Sequence, residues 1–189
     1  MDALPPRPVV GILHPGVMGA ALGSALKARA GAVIWADAGR THATAKRAEL
    51  ADLIAVPDVA ALAARSDVIV AVCPPAAALQ VAAQVAAGLE GRADRPLYVE
   101  ANTIDPGTVR EIAAVLAGRA TVCDAAVHGP PAWERGSTVL WLAGPGADAV
   151  AGLFGDSPFD ARVRGTAVGD IGTAVGDIGT AGGTLTGPR

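Results

Sequence analysis

The chain is poor in charge, in aromatic rings and in cysteine, and each scarcity removes a class of function. Charged residues make up 17% of the 189 residues, and 15 basic against 18 acidic groups leave a net charge of −3. No stretch clusters lysine and arginine, so the electrostatic footprint of a nucleic-acid or anionic-membrane partner is missing. The two cysteines, Cys73 and Cys123, stand far apart without a CxxC or a histidine cluster. Neither a disulfide framework nor a zinc site follows, and a reducing, cytoplasmic setting is expected. Met1 to Pro8 lacks the basic patch and apolar core of a signal peptide. The longest uncharged run, residues 68–89, is broken by Pro74, Pro75, Gln80 and Gln84, so it reads as a strand, a turn and a helix instead of a membrane span.

What the chain has is small apolar residues. Hydrophobic residues reach 51% while aromatics stop at 3%, so alanine, valine, leucine and isoleucine supply the core, and the chain is too apolar to be disordered. The length predicts one domain, or one plus a fragment. Short apolar runs alternate with helical patterns: strands at 9–13, 32–36, 53–56, 67–72, 97–100 and 121–123, and helices at 17–29, 41–49, 58–64, 76–88 and 105–117. Pro74 and Pro75 end the fourth strand because proline cannot continue a ladder. Strands that are apolar throughout, each followed by a helix, require a parallel sheet covered on both faces. The fold class is α/β, doubly wound. From Asp124 to Arg135 the chain is rich in glycine and proline and reads as a loop. One more strand (137–142), a weak helix (147–154) and a strand-like piece (161–164) follow.

The first strand-to-helix turn reads from Gly11 through His14, Pro15, Gly16, Val17 and Met18 to Gly19. A G-x-G-x-x-G dinucleotide fingerprint would carry its first glycine at position 14, where this chain has His14. Gly16 and Gly19 hold the places where backbone meets pyrophosphate and where helix meets strand. At the end of the second strand, Asp37 could serve a ribose 2′-hydroxyl, while Arg40, Thr41 and Lys46 form a phosphate-friendly set. The balance favours NADP, with NAD as the alternative.

These stretches, with Cys73, Pro74 and Pro75, with Glu100 to Pro106, and with Asp124 to Pro131 followed by Gly136, resemble the β-hydroxyacid dehydrogenase superfamily. That group includes 6-phosphogluconate and 3-hydroxyisobutyrate dehydrogenases and the related imine reductases. The resemblance covers about residues 9 to 173. It implies a Rossmann-type, mostly parallel sheet with NADP or NAD bound. The turn from His14 to Gly19 would lie on the pyrophosphate, Arg40 on the adenosine 2′-phosphate, Cys73, Pro74 and Pro75 along the adenosine and ribose, and Asn102 beside the nicotinamide. The family's Ser-Gly-Gly substrate loop falls on His128, Gly129 and Pro130, where Gly129 alone matches.

The resemblance also implies a catalytic lysine on a helix opening near Gly172, leading into a helical second domain. Here Gly165 to Ile171 is followed by an identical heptad, Gly172 to Ile178, and no lysine follows Lys46. A binding domain at 1–165, a disordered Gly/Thr-rich tail at 166–189 and little turnover are therefore expected, with a tandem duplication and frameshift as the suspected origin. The rival reading is a non-catalytic interaction module, docking or self-associating through the face that a helical domain would cover. No metal site is expected, and the small-molecule substrate is open.

Overall fold

The computed structural model describes residues 4–171. Of the tail expected at 166–189 to be disordered, residues 172–189 lie outside them. Eight strands and six helices follow in the order β1 (Val9–Ile12), α1 (Val17–Leu26), β2 (Ala32–Ala36), α2 (His42–Leu50), β3 (Ile54–Val56), α3 (Val59–Arg65), β4 (Val68–Ala71), α4 (Ala78–Gly88), β5 (Leu97–Glu100), α5 (Pro106–Val115), β6 (Thr121–His128), β7 (Val139–Ala143), α6 (Ala147–Leu153) and β8 (Asp160–Gly165). A single 3₁₀ turn, Pro75–Ala77, leads into α4.

The strands form one sheet in the order β3-β2-β1-β4-β5-β6-β7-β8. The first six strands in chain order are parallel, β7 runs antiparallel to β6, and β8 is parallel to β7. This is a Rossmann-type α/β fold, with the strand order reversing between β1 and β4, the place where such sheets open a crevice for ligands. Alternation along each strand feeds two cores. Val10, Ile12, Val68, Val70, Leu97 and Val99 face α1, α2 and α6, while Leu13, Ile69, Ala71 and Tyr98 face α3, α4 and α5. No helix among the described residues is long and apolar enough to cross a membrane.

Three helices begin as their sequences dictate. Thr41 Oγ1 accepts from the Thr44 amide, the Asp58 carboxylate from Ala61, and the Asp105 carboxylate from Thr108. Each side chain satisfies a first-turn amide that the helix itself leaves unpaired.

Two expectations are corrected. The sixth strand does not stop at Cys123. It runs on through Asp124 to His128, where those residues pair with Ala143 to Val139 of β7, so His128 ends a strand and is not a loop residue. Residues 166–171, assigned to the tail by composition, are held to the sheet: Asp124 Oδ2 accepts from the amides of Gly169 (2.9 Å) and Ile171 (3.3 Å), and Ile171 is buried against Ala126, Trp141 and Ala143.

Candidate functional site

The C-terminal ends of β1, β2, β4 and β5 meet at one edge of the sheet, and His14, Gly16, Arg40, Cys73 and Asn102 lie in the turns and loops that follow them. Gly16 is the N-cap of α1 and, unlike Thr41, Asp58 and Asp105, has no side chain to cap its helix. The first-turn amides of Val17, Met18 and Gly19 therefore point outward with the positive end of the helix dipole behind them. A Cβ on Gly16 would meet nothing within 4 Å, whereas one on Gly19 would lie 1.9 Å from the His14 carbonyl oxygen. Gly16 thus keeps space open in front of the amides, and Gly19 lets helix and turn touch. This open, amide-lined space suits a pyrophosphate, the group that helix N-termini of such turns receive. Gly11 lies inside β1, where a Cβ would press on Leu62 and Ser66 of the α3 region at 2.5 Å; its smallness serves packing.

Arg40 turns inward over this turn. Its guanidinium donates to the Leu13 carbonyl (3.1 Å), to the Ala36 carbonyl (3.4 Å) and to His14 Nε2. An arginine has no lone pair to offer, so Nε2 accepts and the imidazole proton sits on Nδ1, which is buried without a partner. Burial, and then the charge of Arg40, holds the His14 pKa below the usual histidine range, so the pair carries one positive charge. His14 and Arg40 line a cleft of about 670 Å³ that continues past Asp58 and along Gln80 and Gln84 of α4. Lys46, expected to join Arg40 and Thr41, instead pairs with Glu49 on the exposed face of α2, and Thr41 is occupied as a cap.

On the other side of the reversal point, the loops after β4 and β5 are tied together. Asn102 Oδ1 accepts from the Cys73 amide (2.8 Å), and Asn102 Nδ2 lies 3.5 Å from Cys73 Sγ. Asn102 is held in turn by Glu100, whose Oε1 accepts from both the Asn102 amide (3.1 Å) and Asn102 Nδ2. Glu100 is fully buried. Burial is the main cause that pushes its pKa up to about 7, against the opposing pull of the Asn102 hydrogen bonds. The sequence motif around Glu100 assigns it no role, because an acidic residue closing an apolar strand does not reveal which way it points. Burial raises the Cys73 thiol as well, which makes a reactive thiolate there unfavourable. Pro74 and Pro75 are exposed beside it.

His128, Gly129 and Pro130 stand apart from these groups. Asp124 is level with Glu100 in the β5–β6 register, and four more strand residues carry His128 about 13 Å further at roughly 3.3 Å per residue. Gly129 adopts φ 126° with Ser137 O 2.5 Å from where a Cβ would be, and Thr138 donates to the Pro130 carbonyl, so this loop is closed by its own contacts. Trp141 is buried under Arg162 and Arg164, whose guanidinium carbons lie 5.4 and 4.1 Å from its ring centroid. Among the described residues no group of three His, Cys, Asp or Glu side chains could hold a metal ion.

Residues 9–152 match the family described as the NAD binding domain of 6-phosphogluconate dehydrogenase. The chain belongs to this family. Its fold recurs in solved structures of low identity. One is a conserved protein of unknown function whose structure is described as similar to 3-hydroxyacid dehydrogenases (24% identity, TM-score 0.73, covering 88% of this chain and 61% of that one). Others are an imine reductase from Myxococcus stipitatus in complex with NADP+ (21%, 0.73, 92% and 60%) and the Mycobacterium tuberculosis 3-hydroxyisobutyrate dehydrogenase with L-serine (18%, 0.74, 93% and 60%). The chain spans about 60% of the length of these proteins. No curated protein matches the sequence. Membership of the NAD-binding family agrees with the open helix end at Gly16 and the crevice between β1 and β4.

Proposed function

We propose that this chain is the cofactor-binding part of an oxidoreductase of the 6-phosphogluconate and 3-hydroxyisobutyrate dehydrogenase type, and that it takes NADP in preference to NAD. The observation that carries the preference is Arg40: its guanidinium lines the cleft together with His14, whereas Asp37 does not. Two of its N–H groups remain beyond those given to Leu13, Ala36 and His14, enough for a phosphate on the adenosine ribose. The amides of Val17, Met18 and Gly19 would take the pyrophosphate, Cys73, Pro74 and Pro75 would flank the ribose, and Asn102 would stand by the nicotinamide. His128, Gly129 and Pro130 would frame the outer rim, where a small substrate enters. When bound, a nicotinamide ring supplies or accepts the hydride at a CH–OH or C=N carbon, and the protein's part is to orient it and exclude water.

The chain's two lysines, Lys27 and Lys46, both lie in the β1–β3 half and are paired with Asp52 and Glu49. No lysine of these 189 residues stands over the β4–β6 half to move a proton at a substrate oxygen. Slow turnover by this chain alone is the expected outcome, checked by NADPH oxidation in the presence of carbonyl and imine substrates. Turnover at rates ordinary for enzymes, on the order of 1–10³ per second, would contradict it.

The cofactor reading is tested by thermal unfolding with NADPH or NADH, because a ligand bound by the folded state alone adds RT ln(1 + [L]/Kd), about 2.7 kcal/mol at one hundred times Kd. A larger shift with NADPH is expected, and Arg40→Ala should weaken NADPH by roughly tenfold or more while changing NADH little. Equal shifts with the two cofactors would overturn the preference, and no shift with either would overturn the binding itself.

A further inference from the structure

Glu100 is an unusual group to find at the end of a core strand. It is fully buried, and the Tyr98 hydroxyl, two residues earlier on the same face of β5, interacts with it. Burying a carboxyl costs stability unless it is held by hydrogen bonds. Its Oε1 shows what holds it. Oε1 receives both the backbone amide and the side-chain Nδ2 of Asn102, which fixes the Asn102 amide group so that Oδ1 faces the Cys73 amide at 2.8 Å. The chain Glu100, Asn102, Cys73 therefore clasps the loop after β5 to the loop after β4 across 29 residues of sequence. Both loops lie at the C-terminal edge of the half-sheet that would hold the second mononucleotide of a dinucleotide bound across the reversal point.

We propose that Glu100 is a positioning residue of the cofactor site, its carboxylate holding Asn102 in the orientation that keeps the β4 and β5 loops clasped where the nicotinamide half would lie. This rests on the nicotinamide-dinucleotide reading above. Hydrogen bonds to a carboxylate are about twice as strong as those to a neutral carboxyl, so the clasp is tight when Glu100 is ionised and loose when it is protonated. Since the Glu100 pKa is raised to about 7, the change is centred there and falls between about pH 6 and 8. The other titratable groups that face this cluster are Tyr98 on β5, Cys73 after β4 with Arg40 acting on it, and Asp124 on β6. Burial raises Tyr98 and Cys73 above already high values, so both stay neutral in this range.

The test uses the full chain and NADH, whose pyrophosphate does not titrate here, with Kd measured by fluorescence from about pH 6 to 8.5. Affinity is expected to tighten roughly fivefold as the pH rises. Glu100→Gln, the neutral isostere, should bind at every pH as weakly as the unaltered chain does at about pH 6. Asn102→Ala, which keeps the titrating group but cuts its connection, should also lose the pH slope. Alkylation of Cys73 should be faster in both variants, a readout of the loop that needs no cofactor. An unaltered affinity and pH profile in Glu100→Gln or in Asn102→Ala would overturn the proposal. Failure of the unaltered chain to bind NADH or NADPH at any pH would overturn the underlying reading and this proposal with it.

Discussion

Gly11, Gly16 and Gly19 are glycine for three different physical reasons, and the difference is testable one residue at a time. Gly11→Ala would drive a Cβ to 2.5 Å from Leu62 and Ser66 and should cost about 1–3 kcal/mol as overpacking does, seen as a lower Tm with cofactor affinity kept. Gly16→Ala meets open space at φ −65°, so its stability should move by less than about 0.5 kcal/mol. Cofactor affinity should nevertheless fall, because the methyl group enters the space before the amides. Unchanged affinity would mean that the pyrophosphate lies elsewhere. Glu100 gives the residue scale its pH dependence. Its pKa rises from 4.5 to about 7 on folding, so between those values the folded chain holds a proton that the unfolded chain has released. Stability then falls as pH rises through that window, by an amount on the order of 3 kcal/mol. Glu100→Gln should remove this slope and melt higher than the unaltered chain at pH 8. The glycine spacing and Arg40 were legible in the sequence as local motifs. The hydrogen-bonded chain Glu100, Asn102, Cys73 was not, because it depends on where these residues fall after folding.

Helix starts were the most legible elements. Thr41, Asp58 and Asp105 cap α2, α3 and α5, as short polar side chains before apolar periodic segments do, since cap and capped amide lie within three residues. The end of β6 was not legible. Asp124 within a glycine- and proline-rich stretch reads as loop, and its strand character comes from β7, a partner that follows only after the turn between them. Asp124 has a structural task there. Burial raises its pKa while the amides of Gly169 and Ile171 oppose the shift, and it holds residues 166–171 on the sheet edge. Asp124→Ala leaves those amides without their acceptor and should cost about 1–3 kcal/mol. The Gly169 and Ile171 amides should exchange hydrogen faster than those of β4 and β5; equal protection before and after the substitution would show that other contacts hold the segment.

At the scale of the whole molecule, the sheet order gathers what the chain keeps apart. Arg40 reaches His14 across 26 residues and Asn102 reaches Cys73 across 29, because β1 lies between β2 and β4 and β5 lies beside β4. By itself the sequence determined the fold class, the strand and helix succession and the uncapped glycine start of α1, since these follow from apolar periodicity, caps and glycine placement acting over a few residues. Only the tertiary structure decided that Arg40 bears on His14 while Lys46 turns away to Glu49, that β6 continues to His128, and that Glu100 is buried behind Asn102. Each of these depends on burial and on hydrogen bonds between segments distant in the chain. The free energy of a buried charge or a paired amide is set by the neighbours that folding brings, which no local pattern of residues contains.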